Sequence, residues 1–465
     1  MNMKNTFLFT LLLCFVLNAN VGAQQITPFK DGDRAVFLGN SITDGGHYHS
    51  YIWLYYMTRF PDMRVTVFNA GIGGDQAIDM VKRLDGDVFS KRPTVLITTF
   101  GMNDSGYAEY NGDQPEKFAD EKVQASYDAY KQMEARFKDL VNTRIVLMGS
   151  SPFDETAVIE GNTPLKNKNK AMLRIVDFQK ESAQQNGWQF LDLNQPMTAL
   201  NQQFQQKDPT FALCGNDRIH PDNDGHMVMA YLFLKAQGFT GVEVADIRIN
   251  ALDASLISGS NCEITNIKKT SNRISFDYLA NALPYPMDTI ARGWECKKSQ
   301  AKAVEIVPFI EEMNKEMLTV KGLNGTYKLL IDEEEIGAWT SDEYAKGINL
   351  ATLSNTPQYQ QALRVMFLNE ERWEIERRFR EYAWLKFNFF LSKGITGDIS
   401  TREAIKIVDD NVEENFWLKV KRDHYSKAMY PEIRKVWQDE MDLLLSAIYD
   451  INTPVKRKVA LVKIK

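Results

Sequence analysis

The residues of this chain best suited to chemistry are a serine, an asparagine and an Asp/His pair, each held in a short polar or glycine-rich stretch. Ser41 ends the run Ala35-Val36-Phe37-Leu38-Gly39-Asn40. Gly71-Ile72-Gly73-Gly74-Asp75 ends a second apolar run, Gly101-Met102-Asn103-Asp104 a third, and Asp217-Arg218-Ile219-His220-Pro221 comes later. A serine hydroxyl is a poor nucleophile until a base removes its proton and donors stabilise the oxyanion that forms. An aspartate three residues before a histidine in a tight turn reaches Nδ1, orients the ring and leaves Nε2 as the base. A glycine lets a backbone N–H approach a substrate oxygen with no Cβ in the way, and an asparagine amide offers a second donor. Taken singly, each stretch is ordinary turn chemistry between a strand and a helix. Their weight lies in their company.

Those stretches need a frame to bring them together. Apolar runs at 35–38, 65–68, 95–99, 145–148 and 190–193 read as strands, and residues 48–60, 77–84, 121–140, 167–185 and 223–234 carry helical spacing. Strands alternating with helices of this length require crossover connections, and therefore a parallel sheet. Ligand sites of such sheets lie at the carboxyl ends of the strands, where Ser41 falls.

With these four blocks in this order, the chain resembles the SGNH (GDSL-like) hydrolases, which are esterases and acylhydrolases on a flavodoxin-like, three-layer α/β/α fold. The resemblance covers residues 33 to about 238. It implies that Ser41 is the nucleophile and that His220, oriented by Asp217, completes a triad. It also implies an oxyanion hole made by the Ser41 N–H, the Gly74 N–H and the Asn103 amide, with no metal and no other cofactor. Asn40 stands where the commonest family motif has Asp, a position outside the catalytic groups.

Residues 1–23 contain one lysine, an almost wholly apolar run at 7–17 and the small-residue exit Val21-Gly22-Ala23. This is the pattern of a secretory signal peptide, too short in its apolar part to span a bilayer. A soluble, secreted or periplasmic protein beginning near Gln24 is expected, with no integral membrane segment after cleavage. The 55 Lys and Arg against 61 Asp and Glu give a formal charge of −6, and loss of Lys4, the segment's single charge, takes it to −7. A mildly acidic chain argues against nucleic acid as a partner, since phosphates are held by Lys and Arg. Of the four cysteines, Cys214, Cys262 and Cys296 remain after cleavage. Their number and spacing give neither a disulfide framework nor a zinc pattern. They fit either one bridge, Cys262 to Cys296, or three buried thiols. His47 and His49 are candidates to line the acyl or alcohol pocket, with plain packing as the alternative. Trp53, Tyr55 and Tyr56 read as a helix face with rim aromatics, and His226 as a packing residue.

The chain divides at about residue 240 into a hydrolase region, 24–240, and a second half. Residues 241–355 read as a small β module, with strands at 242–256, 263–267, 273–278 and 325–332, an acidic turn at 333–335 and a helix at 301–316. This part resembles the β-sandwich segments that follow SGNH domains in secreted enzymes. Residues 356–465 read as helices at 357–394, 401–421 and 430–448, closed by a strand at 455–464 that returns to the β module. The expected function is a serine esterase, foremost an O-acetylesterase with acylated carbohydrate as its substrate. A lipase, lysophospholipase or thioesterase, and a non-catalytic glycan-binding protein, are the alternatives.

Overall fold

The computed structural model describes residues 25–293 and 296–464, so the expected signal peptide lies outside the described residues. Strands β1 (Arg34–Gly39), β2 (Thr66–Gly71), β3 (Val95–Thr98), β4 (Arg144–Gly149) and β5 (Gln189–Asp192) form one parallel sheet in the order β2-β1-β3-β4-β5. This is the doubly wound order of flavodoxin-like folds. Helices α1 (Ser41–Asp44), α2 (Tyr48–Arg59), α3 (Ala77–Arg83), α4 (Pro115–Lys138), α5 (Lys168–Asn186), α6 (Asn194–Gln205) and α7 (Asn223–Ala236) connect and cover it.

The two faces of β1 show how the layers arise. Ala35 and Phe37 pack with α2 and α7, whereas Val36 and Leu38 pack with α3, α4 and α5. A strand buried on both faces reads as the continuous apolar run seen in the sequence. Helix α6 has no counterpart among the expected elements: of its Gln-rich stretch only Asn194, Met197 and Asn201 are buried.

The second half is built around a β-sandwich. Strands β6 (Ala245–Asn250), β7 (Ser255–Ser260), β8 (Cys262–Lys269) and β9 (Arg273–Ala280) precede the short helix α8 (Phe309–Met313). Then come β10 (Glu316–Lys321), β11 (Thr326–Ile331), β12 (Glu334–Thr340), α9 (Ser341–Lys346) and β13 (Ile348–Asn349). One sheet has the order β13-β10-β6-β7. In place of a helix over 301–316 there is a 3₁₀ turn at Gln300–Glu305 and then α8, because Pro308 separates the two. The acidic hairpin turn falls at Asp332 and Glu333, both with positive φ, as a two-residue loop requires.

Thr356 caps α10 (Pro357–Trp384), its hydroxyl accepting the Tyr359 N–H, and the helix runs on through a π-helical turn at Leu385–Phe390. Helices α11 (Arg402–Asp409), α12 (Phe416–Ala428) and α13 (Pro431–Ile451) follow, so the expected helix 401–421 is interrupted and resumes only after the Asn415 cap. The last strand, β14 (Arg457–Lys463), lies between β11 and β9 in the second sheet, ordered β12-β11-β14-β9-β8.

This second half covers the hydrolase layer formed by α2 and α7. Every residue of α2 is buried, and its core continues into Ala362, Val365 and Met366 of α10 and Ile448 of α13. Trp53, Tyr55 and Tyr56 are therefore interior residues rather than rim aromatics, because what reads as an exposed face is covered by residues some three hundred positions later.

Candidate active site

Ser41 is the first residue of α1, directly beyond the end of β1. Asn40 caps this helical turn, its Oδ1 accepting the Ile42 N–H at 3.0 Å. Gly39 permits the bend: a Cβ there would lie 2.0 Å from Thr43 Oγ1. The Ser41 hydroxyl lies 2.7 Å from Nε2 of His220, and Nδ1 of that ring lies 2.5 Å from Oδ2 of Asp217. Oδ1 of Asp217 accepts the N–H groups of Ile219 and His220, both at 2.9 Å. The carboxylate is thus fixed by three bonds from within its own turn. Burial alone would raise its pKa, but the hydrogen bond and charge of His220 outweigh that and hold Asp217 below the usual carboxylate range. The pair stays open to water, with 49% of the Asp217 and 32% of the His220 side chain exposed.

The turn has a buried anchor that its sequence does not announce. Arg218 adopts a left-handed backbone, φ 67°, and sends its guanidinium inward to the carbonyls of Asp154, Ala157 and Asn162 at 3.0, 2.9 and 2.6 Å. The inversion turns Arg218 into the protein while its neighbours Asp217 and His220 face the cleft.

On the other side of Ser41, residues 72–75 form a turn closed by the Asp75 N–H on the Ile72 carbonyl, with Gly74 at φ 88°. Only glycine takes that conformation without strain. The Gly73 N–H donates to Oδ2 of Asp44 at 2.9 Å, while the Gly74 N–H has no protein acceptor among the described residues. Asn103 donates from Nδ2 to the Asp75 carbonyl at 2.9 Å, and its Oδ1 accepts the Tyr107 hydroxyl at 2.6 Å. Asp104 joins the same two loops, accepting the N–H groups of Ala77 and Gly101. The fully buried Lys168 holds the Asn103 loop from beneath, donating to the carbonyls of Met102 and Gly106 and to the Ser105 hydroxyl at 2.6–2.7 Å. Burial pulls its pKa down to about 7.

The structure thus brings Ser41, Asp217 and His220 into one hydrogen-bonded line and ties Gly74 and Asn103 into one adjoining unit. Such a line can deprotonate a serine, and such a unit can present N–H groups to an anion. His47 and His49 are buried and turned away: His47 stacks on Trp373 at 4.0 Å with Nε2 3.2 Å from the Glu370 carboxylate, and His49 Nε2 lies 3.1 Å from the Thr43 carbonyl. His226 is buried against Tyr48. All three described cysteines are free thiols, so Cys262 and Cys296 form no bridge. Among the described residues no cluster of His, Cys, Asp or Glu has the arrangement of a metal site.

Residues 37–228 match the GDSL-like Lipase/Acylhydrolase family, and residues 363–453 match the Diltiazem deacetylase C-terminal helical domain. A solved structure described as a gut microbial diltiazem-metabolizing enzyme is 64% identical, with a TM-score of 0.93, and the match covers 95% of this chain and 100% of that one. The chain belongs to the GDSL-like lipase/acylhydrolase family. It is an SGNH-type esterase, a carboxylic ester hydrolase, with a β-sandwich and helices after the hydrolase fold. An acetylxylan esterase of Geobacillus stearothermophilus is 29% identical to this esterase over 232 residues, which are 45% of this chain and 96% of that protein.

A cavity of about 450 Å³ opens beside His220, lined by Gly215, Asn216, Asp217, Pro221, Asp222, Cys296 and Lys297. The second half of the chain supplies Cys296 and Lys297 to its wall. Lys168 and Arg218 escape a reading of the sequence for one reason: each acts chiefly on backbone carbonyls, and no motif of side-chain types marks that work.

Proposed function

We propose that the esterase is an O-acetylesterase in which Ser41, His220 and Asp217 form the catalytic triad and the N–H groups of Ser41, Gly74 and Asn103 form the oxyanion hole. The observation that carries this reading is the 2.7 Å contact between Ser41 Oγ and His220 Nε2, backed by Asp217 on Nδ1. In the first half-reaction Nε2 takes the hydroxyl proton and Oγ bonds to the ester carbonyl carbon, whose oxygen becomes an anion facing the three N–H donors. The anion collapses, the C–O bond to the alcohol breaks, and His220 returns the proton to the leaving oxygen. Water, deprotonated by His220, then attacks the acyl-serine in the same way and releases acetate and free Ser41.

A short acyl group and a polar alcohol are supported by the cavity beside His220, whose lining among the described residues includes Asn216, Asp217, Asp222 and Lys297 and no Leu, Ile, Val, Met or Phe side chain. They are supported also by similarity to an acetylxylan esterase and to the deacetylase helical domain. We assign acetylated oligosaccharides as the principal substrate class, with compact O-acetyl esters such as diltiazem as a second class, favoured by the whole-chain similarity to a diltiazem-metabolizing enzyme. The pattern of residues 1–23 supports a secreted or periplasmic location.

The test is hydrolysis of aryl acetate against aryl decanoate, with acetate release from acetylated xylo-oligosaccharides and from diltiazem, by wild type and Ser41→Ala. Acetyl-selective turnover that vanishes in Ser41→Ala is expected. A preference for decanoate would overturn the acetyl assignment, and full activity in Ser41→Ala would overturn the triad.

A further inference from the structure

The turn that carries Gly74 is gripped from the far end of the chain. Helix α10 lays three groups against it. Glu376 Oε1 accepts the Asn69 N–H at 2.9 Å, and Arg380 Nε donates to the Gly71 carbonyl at 2.9 Å. Ile72, fully buried, inserts into the core made by Ala383, Trp384, Leu385 and Phe390 with Leu418 of α12. The rest of the Arg380 guanidinium is bidentate to Asp87, at 2.8 and 2.7 Å, and Asp87 also accepts Arg83 at 2.6 Å. Arg83 in turn donates to the Ala70 and Gly39 carbonyls at 2.9 and 3.1 Å, so two buried guanidinium groups span the backbone on both sides of Ser41. The turn lies directly beside the serine: a Cβ on Gly73 would meet the Ser41 Cβ at an ordinary contact distance, 3.9 Å.

We propose that Arg380 is a positioning residue for ester hydrolysis: its bond to the Gly71 carbonyl, with Glu376 on Asn69 and the pocket that receives Ile72, fixes the Gly71–Gly74 turn against Ser41. The inference rests on the reading of Gly74 as an oxyanion donor. It makes the C-terminal helices part of the active-site frame rather than an appended module. Arg380 touches no substrate. Its effect passes through the Gly71 peptide to a donor whose distance from the developing oxyanion decides transition-state binding, and hydrogen bonds weaken steeply with such displacement.

The planar guanidinium meets Gly71 and Asp87 at once, a fork that a lysine cannot reproduce. Arg380→Lys, which keeps the charge, and Arg380→Met, which removes it, are assayed on aryl acetate well below their melting temperatures. Leu329→Ala, in the remote core of the sandwich, serves as a control for lost stability. The expected result is a fall in kcat of about tenfold for Lys and more for Met, with KM changed less than about twofold, and weaker inhibition by a trifluoromethyl ketone in proportion. Leu329→Ala lowers Tm and leaves kcat intact. Selective ¹⁵N-glycine labelling supplies a second readout, in which the Gly74 amide resonance moves in Arg380→Lys. Unchanged kcat in folded Arg380→Met together with an unmoved Gly74 resonance overturns the proposal. If wild type hydrolyses no ester, the esterase reading fails by itself, and the Gly74 resonance alone then decides whether Arg380 sets the turn.

Discussion

The two sides of Ser41 are held in opposite ways. On the proton-transfer side, Asp217 and His220 sit in one turn, half open to water. The bonds to the Asp217 carboxylate come from residues 219 and 220 of that turn, and the buried Arg218 ties it to the carbonyls of Asp154, Ala157 and Asn162. On the N–H donor side, Gly74 and Asn103 belong to separate loops, joined through Asp75 and Asp104. Arg83, Lys168 and Arg380, all buried, brace those loops from beneath. A base must exchange protons with solvent and turn slightly between two half-reactions, so a local exposed turn serves it. Donors aimed at a developing charge work by not moving, and rigidity is supplied by burial and by bonds that cross the fold.

Asp217→Asn tests the exposed side and carries the largest expected effect. The substitution keeps the shape but withdraws the acceptor that fixes the ring, so kcat is expected to fall by about 10²–10⁴, the range of positioned acid–base catalysis. Because the side chain is half exposed, Tm at neutral pH should move little. The sign of the pH dependence follows from its lowered pKa: the pair's stabilising contribution is complete above the ordinary carboxylate range and fades as pH falls through the lowered value. A small wild-type advantage in Tm at neutral pH that disappears at acid pH is expected. A large Tm loss at pH 7 would show that this turn is a structural keystone and would break the comparison.

Asn103→Ala tests the buried side. With Asn103 as the proposed oxyanion donor, its removal should cost about 10²–10³ in kcat, or ~2.7–4 kcal/mol of transition-state stabilisation, with KM for aryl acetate little changed. Tyr107→Phe is the companion, since it removes only the hydroxyl that Oδ1 of Asn103 accepts. One neutral hydrogen bond is worth ~0.5–1.5 kcal/mol, so a loss of about tenfold or less is expected. Equal losses in the two variants would mean that Asn103 acts through its loop and not through its own N–H.

The same contrast decides what is legible in the sequence. Strands buried on both faces announce themselves as apolar runs, and the five-stranded sheet follows from them. The Asp217–His220 turn is legible because its chemistry is complete within four residues. Arg380 is illegible: it lies some three hundred residues from Gly71, in a helix whose apolar spacing reads as helix packing alone. Helix α2 misleads for a related reason, since its aromatic residues need a second covering surface, which α10 and α13 supply. Strand β10 has no counterpart among the expected elements, the expected helix over 301–316 reaching only its first residue, Glu316. That glutamate is buried and accepts the Tyr278 hydroxyl at 2.7 Å, a partner 38 residues earlier. What sequence carries poorly is the distant backbone contact, and the donor side is made of such contacts.

Lys168 sharpens the comparison most finely, because it braces Asn103 by burying an amine that titrates. Its pKa is drawn down to about 7 by burial, whereas in the unfolded chain a lysine titrates near about 10.4. Between those values the unfolded chain holds a proton that the native state has released, so this group makes stability rise with pH across the window, by up to about 1.4 kcal/mol per pH unit. Below about pH 7 both states are protonated and the contribution is flat. Lys168→Met removes the group with similar volume, although it leaves the Met102 and Gly106 carbonyls without their donor. Urea unfolding of both proteins at pH 6, 7, 8 and 9 isolates the effect as a difference: the advantage of wild type over variant should be level from pH 6 to 7 and grow towards pH 9. A difference that stays level throughout would mean that the three acceptors keep the ammonium charged over the whole range. The Asn103 loop would then be pinned by fixed charge, as the Gly74 turn is pinned by Arg83 and Arg380, and the two halves of the donor unit would share one design.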